Sequence, residues 1–388
     1  MTDARAYLDL LRTGAGRGAA ENAGGGNAAP PERAVLVDRL RAEIAYVEGK
    51  TGVAVDPDLR AELVGQADEA LARLLGDGPD AQLRPVDVSG LEAVVATDGS
   101  RPVLFVEDDF VDLLAPSVGD YAVRLSTRED AVRNVCRAVG RVDDPAAHPL
   151  GYQGTAWVVA EGLVVTNFHV LRAIAPSGTR KDGRFEGRLN AGVSVHFGHE
   201  VRAPRDERRF PIRRVVSVGR EGAAEFVHPD AAGLNFDGLD LAVLELEPVP
   251  GRRFPDPIKV ARGDDPLTMG ALASAGRGVY VVGYPGNEQS TTPDLFVKLF
   301  AGVKSFKRLA PGAIGLAAGS VPNDPRGWVI THDVSTLGGN SGSAVVDLDA
   351  DGGTALGLHF AGVHARQNWA YALERTTDLD PVLPAVVR

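Results

Sequence analysis

The sequence predicts a mainly β protein, a sandwich or a pair of barrels, with a small helix- and strand-containing region in front of it. From about residue 138 onward, short apolar or alternating runs such as TAWVV, LDLAVLEL and ALGLHF are separated by turn residues, a pattern typical of all-β folds. Apolar residues at helical spacing lie mainly before that point. At 388 residues the chain exceeds the roughly 250–300 residues at which single cores stop growing. We therefore expect one large domain and an additional piece.

Three segments are predicted along the chain. Residues 1–34 are expected to form a flexible tail, because residues 14–31, which follow a short terminal helix, are rich in Gly, Ala and Asn without apolar periodicity. Residues 35–137 are expected to form an α+β N-terminal region, and residues 138–388 the β domain.

Within the N-terminal region, the apolar spacing of Leu36, Leu40 and Ile44, repeated further on, predicts helices over about residues 35–77. The run LEAVVATDGSRPVLFVEDD has two apolar stretches around an Asp-Gly turn. It predicts a β-hairpin over about residues 91–109.

The net charge and the cysteine content argue against several classes of protein. Acidic residues outnumber basic ones by 52 to 41, giving a net charge of −11, which disfavours binding to nucleic acid or to a membrane surface. The sequence has no signal-peptide pattern and no apolar run of the roughly 18 residues that a membrane span needs. Its single cysteine, Cys136, allows no internal disulfide and is expected to be a buried structural thiol. We expect a cytoplasmic protein.

The segment Gly338-Gly339-Asn340-Ser341-Gly342-Ser343 lies between two apolar runs, WVITHDV and SAVVDL. A serine hydroxyl becomes a nucleophile when a base takes its proton and N–H groups stabilise the developing oxyanion. Glycines beside the serine allow a tight turn that directs the N–H groups of Gly339 and Ser341 to one point. A plain turn between two strands is the alternative interpretation.

Candidates for the base and for a supporting carboxylate precede this serine. His169 follows the apolar strand VVTNF, and Asp240 opens the alternating run LDLAVLEL, whose apolar residues would bury it in part. A buried carboxylate can fix the tautomer of a histidine and stabilise its cation. Asp237, three residues earlier, is the competing candidate for that carboxylate.

Taken together in this order, the histidine, aspartate and serine motifs resemble those of trypsin-like (chymotrypsin-fold) serine peptidases, from about Gly151 to the end of the chain. The resemblance implies two antiparallel six-stranded β-barrels with the site between them. It also implies cleavage of protein or peptide substrates through an acyl-enzyme, with no cofactor and no metal. His169, Asp240 and Ser341 would be catalytic, and the N–H groups of Gly339 and Ser341 would form the oxyanion hole. His169 and Asp240 are 71 positions apart in the sequence. This separation is long for the family, which predicts an insertion between residues 176 and 235.

Within the family, DVSTLGGNSGS and GLHFAG resemble the bacterial glutamyl-endopeptidase-like branch. That resemblance implies that Thr336 and His359 line the specificity pocket and that Glu or Asp is preferred before the scissile bond. Ser335 stands where basic-specific trypsins carry aspartate, which disfavours cleavage after Lys or Arg.

The front of the chain and the segment KRLAPG resemble the leaders of cytoplasmic bacterial trypsin-like proteins. This resemblance implies a regulated effector protease. Its N-terminal region is expected to be a docking module for a regulatory protein partner, an autoinhibitory cover or a spacer, and the sequence does not separate these three roles. A catalytically silent scaffold or peptide-binding protein is the alternative.

Two further patterns, His196-x-x-His199 and the acidic turn 347–352, are interpreted as ordinary surface or strand features rather than metal sites.

Overall fold

The computed structural model describes residues 4–13, 30–95, 97–181, 184–202, 204–222, 236–262, 272–285, 305–336, 339–363 and 367–379. Most of the predicted linker at residues 14–31 lies outside these ranges, as does Gly338. The described helices, numbered along the chain, are α1 Ala4–Thr13, α2 Arg33–Thr51, α3 Pro57–Asp77, α4 Pro85–Val95, α5 Tyr121–Ser126, α6 Glu129–Ala138, α7 Phe168–Ile174 and α8 Leu373–Leu379. Among the described residues, none of the helices combines the length and apolar character needed to cross a membrane.

The chain divides into two compact units. The first contains the described residues of Met1–Phe105 and Val111–Thr127, and the second those of Val106–Phe110 and most of the chain from Arg128 onward. Helices α1 to α4 share one apolar core in the first unit, to which Leu11, Leu36 and Leu71 contribute fully buried side chains. Helix α1 therefore belongs to a packed core, although the sequence places its residues in a tail.

The predicted hairpin at residues 91–109 differs from the structure in its first half. Leu91, Val94 and Val95 end helix α4 and join the helical core, so packing overrides the strand preference of this valine-rich run. The second half is a strand, β1 Leu104–Glu107, which is followed by β2 Phe110–Val111.

Six strands of the second unit form a closed antiparallel barrel in the order β10-β5-β4-β3-β8-β9. They are β3 Val139–Asp143, β4 Tyr152–Ala160, β5 Leu163–Thr166, β8 Ser194–His196, β9 Arg209–Val218 and β10 Ala242–Leu246. Strand β4 is buried along almost its whole length because it lies between β3 and β5. Helix α7 follows β5 directly, which places His169 at the barrel's edge. The first predicted barrel is confirmed.

The remaining large sheet has nine strands in the order β14-β17-β16-β15-β12-β13-β1-β2, with β11 paired in parallel with β16. Besides β1 and β2, its strands are β11 Lys259–Val260, β12 Gly278–Gly283, β13 Arg308–Ala313, β14 Val329–His332, β15 Ala344–Asp347, β16 Thr354–Val363 and β17 Gln367–Ala372.

The predicted second closed barrel is not found in the described residues, because this sheet is open. Strand β13 pairs with β1, whose Val106 N–H donates to Lys307 O. Just beyond β13, Ile314 makes a single isolated bridge to His332 of β14. Backbone hydrogen bonds also join residues 313–316 to residues 331–333. The end of β13 therefore contacts β14, but not through a ladder of strands, and the strand order of the sheet stays open.

A two-stranded hairpin lies in the region where the sequence predicts an insertion. It consists of β6 Thr179–Lys181 and β7 Arg184–Glu186, with Arg180 opposite Phe185.

A buried lysine joins several parts of the second unit. Lys307, which is fully buried, donates from Nζ to Cys136 O and Phe197 O, both at 2.6 Å, and to Glu200 Oε1 at 3.2 Å. Glu200 is paired in turn with Arg205 at 2.7 Å. Every ammonium proton thus has an acceptor, which is the condition under which a buried charge is tolerated.

Replacing Lys307 with methionine should lower the free energy of unfolding by about 3 kcal/mol, because two carbonyls and Glu200 lose a donor in the interior. Urea denaturation measures the change. Arg213→Met is the matched control, since Arg213 pairs with Glu245 at the surface, and such pairs contribute about 1 kcal/mol or less. Equal effects of the two variants would contradict a structural role for the buried lysine.

Candidate active site

His169 and Asp240 are brought together by the barrel. Nδ1 of His169 lies 2.6 Å from Asp240 Oδ2, and the His169 backbone N–H donates to Asp240 Oδ1 at 2.8 Å. The Asp240 side chain is 7% exposed and the His169 side chain 40%. The carboxylate is therefore shielded while one side of the imidazole remains accessible to another molecule.

The backbone of Asp240 is held as firmly as its side chain. Asn167 Nδ2 donates to Asp240 O at 2.9 Å, and the Asp240 N–H donates to the hydroxyl of Tyr371, on β17, at 3.1 Å. The Leu241 N–H donates to Leu239 O at 3.0 Å, which closes a tight turn around Asp240. Strand pairing of β10 with β5 begins immediately after this turn.

The electrostatics of the pair favour a protonated histidine. Burial alone lowers the pKa of His169, but the negative charge of Asp240 and the hydrogen bond to it outweigh that effect. The pKa of His169 therefore lies above its ordinary value of 6.5. A proton taken up by this imidazole is stabilised by the neighbouring carboxylate.

The loop that carries Ser341 is fastened to the barrel through Thr155 of β4. The Thr155 N–H donates to Ser341 O and the Thr155 hydroxyl to Gly339 O, both at 2.9 Å. The Thr155 carbonyl accepts from the Thr166 hydroxyl at 2.7 Å, and Thr166 ends the strand that leads to His169. The serine loop and the histidine helix are thus joined through two threonines.

The attachment of the serine loop to Thr155 requires glycine at position 342. Its φ is +87°, and a Cβ at this position would come within 2.1 Å of Thr155 O. Its N–H donates to His359 O at 2.9 Å, which connects the loop to strand β16. Ser341 itself is half-buried, so it combines a fixed backbone with partial exposure.

His359 forms a buried pair with His332. His359 Nδ1 lies 3.1 Å from His332 Nε2, and the pair joins strands β16 and β14. Burial lowers the pKa of His359 to about 3, and the positive charge of His169 contributes to this shift. Burial and the neighbouring His359 hold the pKa of His332 well below 6.5. Both rings are neutral near pH 7.

Thr336 is positioned by Asn368 of β17. The Thr336 hydroxyl donates to Asn368 Oδ1, while Asn368 Nδ2 donates to Val334 O at 2.8 Å. Asn368 lies opposite Gly362 in the β16–β17 ladder. Gly362 is two residues after Phe360 on β16. Thr336 lies in the segment before Ser341, and His359 lies on β16. Through Asn368, strand β17 brings the two residues to the same region of the open sheet.

Other candidates from the sequence lie elsewhere. Asp237 pairs with Arg326 at 2.8 Å, whereas the histidine contact belongs to Asp240. Burial raises the pKa of the Cys136 thiol to about 12, which fits a structural residue. Within the described ranges, no cluster of three or more His, Cys, Asp or Glu side chains could hold a metal ion.

Sequence reasoning missed the residues that support these side chains, namely Thr155, Asn167, His332, Asn368 and Tyr371. His332 alone offered a signal, because it stands in the strand WVITHDV beside the serine motif.

Comparison with known proteins identifies the family of the chain. A family model described as a trypsin-like peptidase domain matches residues 154–358. The chain belongs to this family. A probable serine protease of Lysobacter enzymogenes is 30% identical over 332 residues, which cover 81% of each chain. The protein is a trypsin-like serine endopeptidase, and its substrates are proteins or peptides.

Among solved structures, the active form of the Rv3671c protease from M. tuberculosis is 20% identical, with 68% of this chain and 86% of that chain covered and a TM-score of 0.39. The VesB protease of Vibrio cholerae is 12% identical, with 63% and 62% covered and a TM-score of 0.38. Family membership rests on the sequence matches.

Replacing Asp240 with asparagine should lower the pKa of His169 below 6.5, because burial then acts without the opposing carboxylate. Titration of the imidazole Cε1 proton by NMR measures this shift. Asp237→Asn is the control and should leave the His169 titration unchanged. An unchanged pKa in Asp240→Asn would show that the carboxylate does not govern this imidazole.

Proposed function

We propose that this endopeptidase cleaves its substrates through a catalytic triad of Ser341, His169 and Asp240. The observation that carries the proposal is the short contact between His169 Nδ1 and Asp240 Oδ2. It leaves His169 Nε2 as the basic atom of the imidazole, as a general base requires. The fastening of the Ser341 loop to the strand end that precedes His169 supports the same assignment.

In the proposed reaction the Ser341 hydroxyl attacks the scissile carbonyl while His169 Nε2 takes its proton. The N–H groups of Gly339 and Ser341 stabilise the oxyanion of the tetrahedral intermediate. His169 then protonates the departing amine, which leaves an acyl-enzyme on Ser341. Water, deprotonated by the same imidazole, then attacks the ester. The imidazolium returns this proton to the Ser341 oxygen as the acyl–oxygen bond breaks and the acid leaves. Asp240 orients His169 and stabilises its cation throughout.

The substitution Ser341→Ala should abolish labelling by a fluorophosphonate probe and reduce kcat by about 10⁶-fold, as loss of the nucleophile does in other triads. Ser343→Ala is the matched control, because Ser343 lies two residues away with a buried side chain. Labelling should persist in the control. A wild-type protein that neither reacts with the probe nor cleaves a peptide library would instead favour the silent-scaffold alternative.

The pH dependence follows from the raised pKa of His169. A general base must be unprotonated, so kcat/KM should rise as pH increases through the His169 pKa, with an apparent pKa above 6.5. Initial rates on a peptide substrate without titrating groups measure this profile. An acid limb centred below 6.5 would contradict the electrostatic account of the His169–Asp240 pair.

We infer further that the peptidase prefers Glu or Asp before the scissile bond, with Thr336 and His359 contacting the substrate carboxylate. The His332–His359 pair supports this preference through its tautomers. Among the described residues, His332 Nδ1 has no hydrogen-bond partner, and an unpaired buried acceptor is less costly than an unpaired N–H. His332 therefore donates from Nε2 to His359 Nδ1. His359 then carries its proton on Nε2, as a neutral donor suited to a carboxylate.

The variant His359→Phe should reduce the ratio of kcat/KM for Glu over Gln substrates by about 10- to 100-fold, because the donor is lost while the ring volume is kept. Fluorophosphonate labelling of Ser341 should continue and serves as the control for folding. In the wild type the ratio should stay level between about pH 6 and about pH 9, since His359 is neutral and the substrate carboxylate is ionised throughout. A ratio unaffected by His359→Phe would remove His359 from the specificity pocket.

A further inference from the structure

The hairpin of β6 and β7 places an arginine beside the turn that carries Asp240. Arg180 Nη1 donates to Leu239 O and to Gly219 O, both at 3.1 Å. Leu239 O also accepts from the Leu241 N–H and so closes the turn whose central residue is Asp240. The guanidinium is bonded to the very carbonyl that defines the conformation of this turn.

The residue after β9, Gly219, and the turn that carries Asp240 lie very close together. A Cβ on Gly219 would lie 2.4 Å from Leu239 O, so only glycine allows the end of β9 to reach the turn. Arg180 donates into this junction and bridges the two carbonyls. Because both carbonyls point to one cation, their mutual repulsion is relieved.

Arg180 also contacts the segment that carries His169. Its guanidinium carbon lies 4.2 Å from the ring centroid of Phe168, and Phe168 immediately precedes His169. Phe185, on the other strand of the hairpin, packs edge-on against Phe168 with 6.4 Å between ring centroids. Both strands of the hairpin therefore contact Phe168, the first residue of α7.

We propose that Arg180 is a positioning residue for the catalytic pair, which holds the Phe168–His169 and Leu239–Asp240 segments at a fixed separation. This inference rests on the proposed triad. One guanidinium binds the residue before each member of the pair, by a cation–π contact in one case and by a hydrogen bond in the other. A displacement of either segment would lengthen the contact between His169 Nδ1 and Asp240 Oδ2, on which proton transfer depends.

The test compares Arg180→Met, which keeps apolar contact with Phe168 but has no donor, with Arg180→Gln, which is polar and lacks the charge. Arg180→Lys is the conservative variant. Arg184→Met is the matched control, because Arg184 is exposed on the same hairpin. For each folded variant, kcat and KM are measured on one peptide, and the His169 Nδ1 proton is observed in the downfield ¹H NMR spectrum.

We expect kcat to fall 10- to 100-fold in Arg180→Met and Arg180→Gln while KM stays within about twofold, with partial recovery in Arg180→Lys and no change in Arg184→Met. The His169 Nδ1 resonance should move upfield or exchange away in the same order. A kcat within about twofold of wild type, with an unshifted resonance, in either folded variant would overturn the proposal.

The NMR readout separates this inference from the proposed function. If the wild-type protein has no peptidase activity, the triad proposal fails, yet the Nδ1 resonance still reports whether Arg180 maintains the His169–Asp240 contact. If wild type is active and Ser341→Ala is not, an unchanged Arg180→Met refutes the role of Arg180 alone.

Discussion

The candidate active site of the second unit depends on the hydrogen bonds made to one buried carboxylate, that of Asp240. An ionised carboxylate shielded from water is costly unless its oxygens are hydrogen-bonded, and both oxygens of Asp240 are bonded to His169. The backbone of Asp240 is held by Asn167 and by Tyr371 of the open sheet. Because these partners come from both the barrel and the sheet, the site is complete only when both have folded.

Sequence patterns predicted what is encoded locally. The serine turn, the histidine after an apolar strand and the choice of Asp240 over Asp237 as the partner of His169 all follow from residues within one short segment each. Whether a sheet closes depends on pairing between distant strands. The contact between the end of β13 and β14, around Ile314 and His332, therefore had no local signal. The end of helix α4, from Leu91, was predicted as a strand for a related reason. Its valines pack against other helices, and this packing overrides their local preference for a strand.

The buried pair of His332 and His359 shows how burial selects one form of a titratable group. A charged imidazole at His359 would oppose the protonation of His169, because the two rings are close enough for each charge to affect the other. A neutral His359 held by His332 avoids that conflict and still offers a hydrogen bond. Under the proposed roles, substrate recognition by His359 and proton transfer by His169 proceed side by side without competing for the same charge.

The buried Lys307 has a consequence for the boundaries of the catalytic machinery. Its acceptors include the carbonyl of Cys136 in α6, and its own carbonyl accepts from the Val106 N–H of β1. Both residues precede the first strand of the barrel, Val106 by more than 30 residues and Cys136 by three. Residues 111–127, between these two segments, belong to the other compact unit. The catalytic unit is thus discontinuous in the chain, and no single cut in the backbone would release it intact. The chain passes between the two units after residues 105, 110 and 127, so an exchange of N-terminal regions between such enzymes would have to preserve three crossings rather than one.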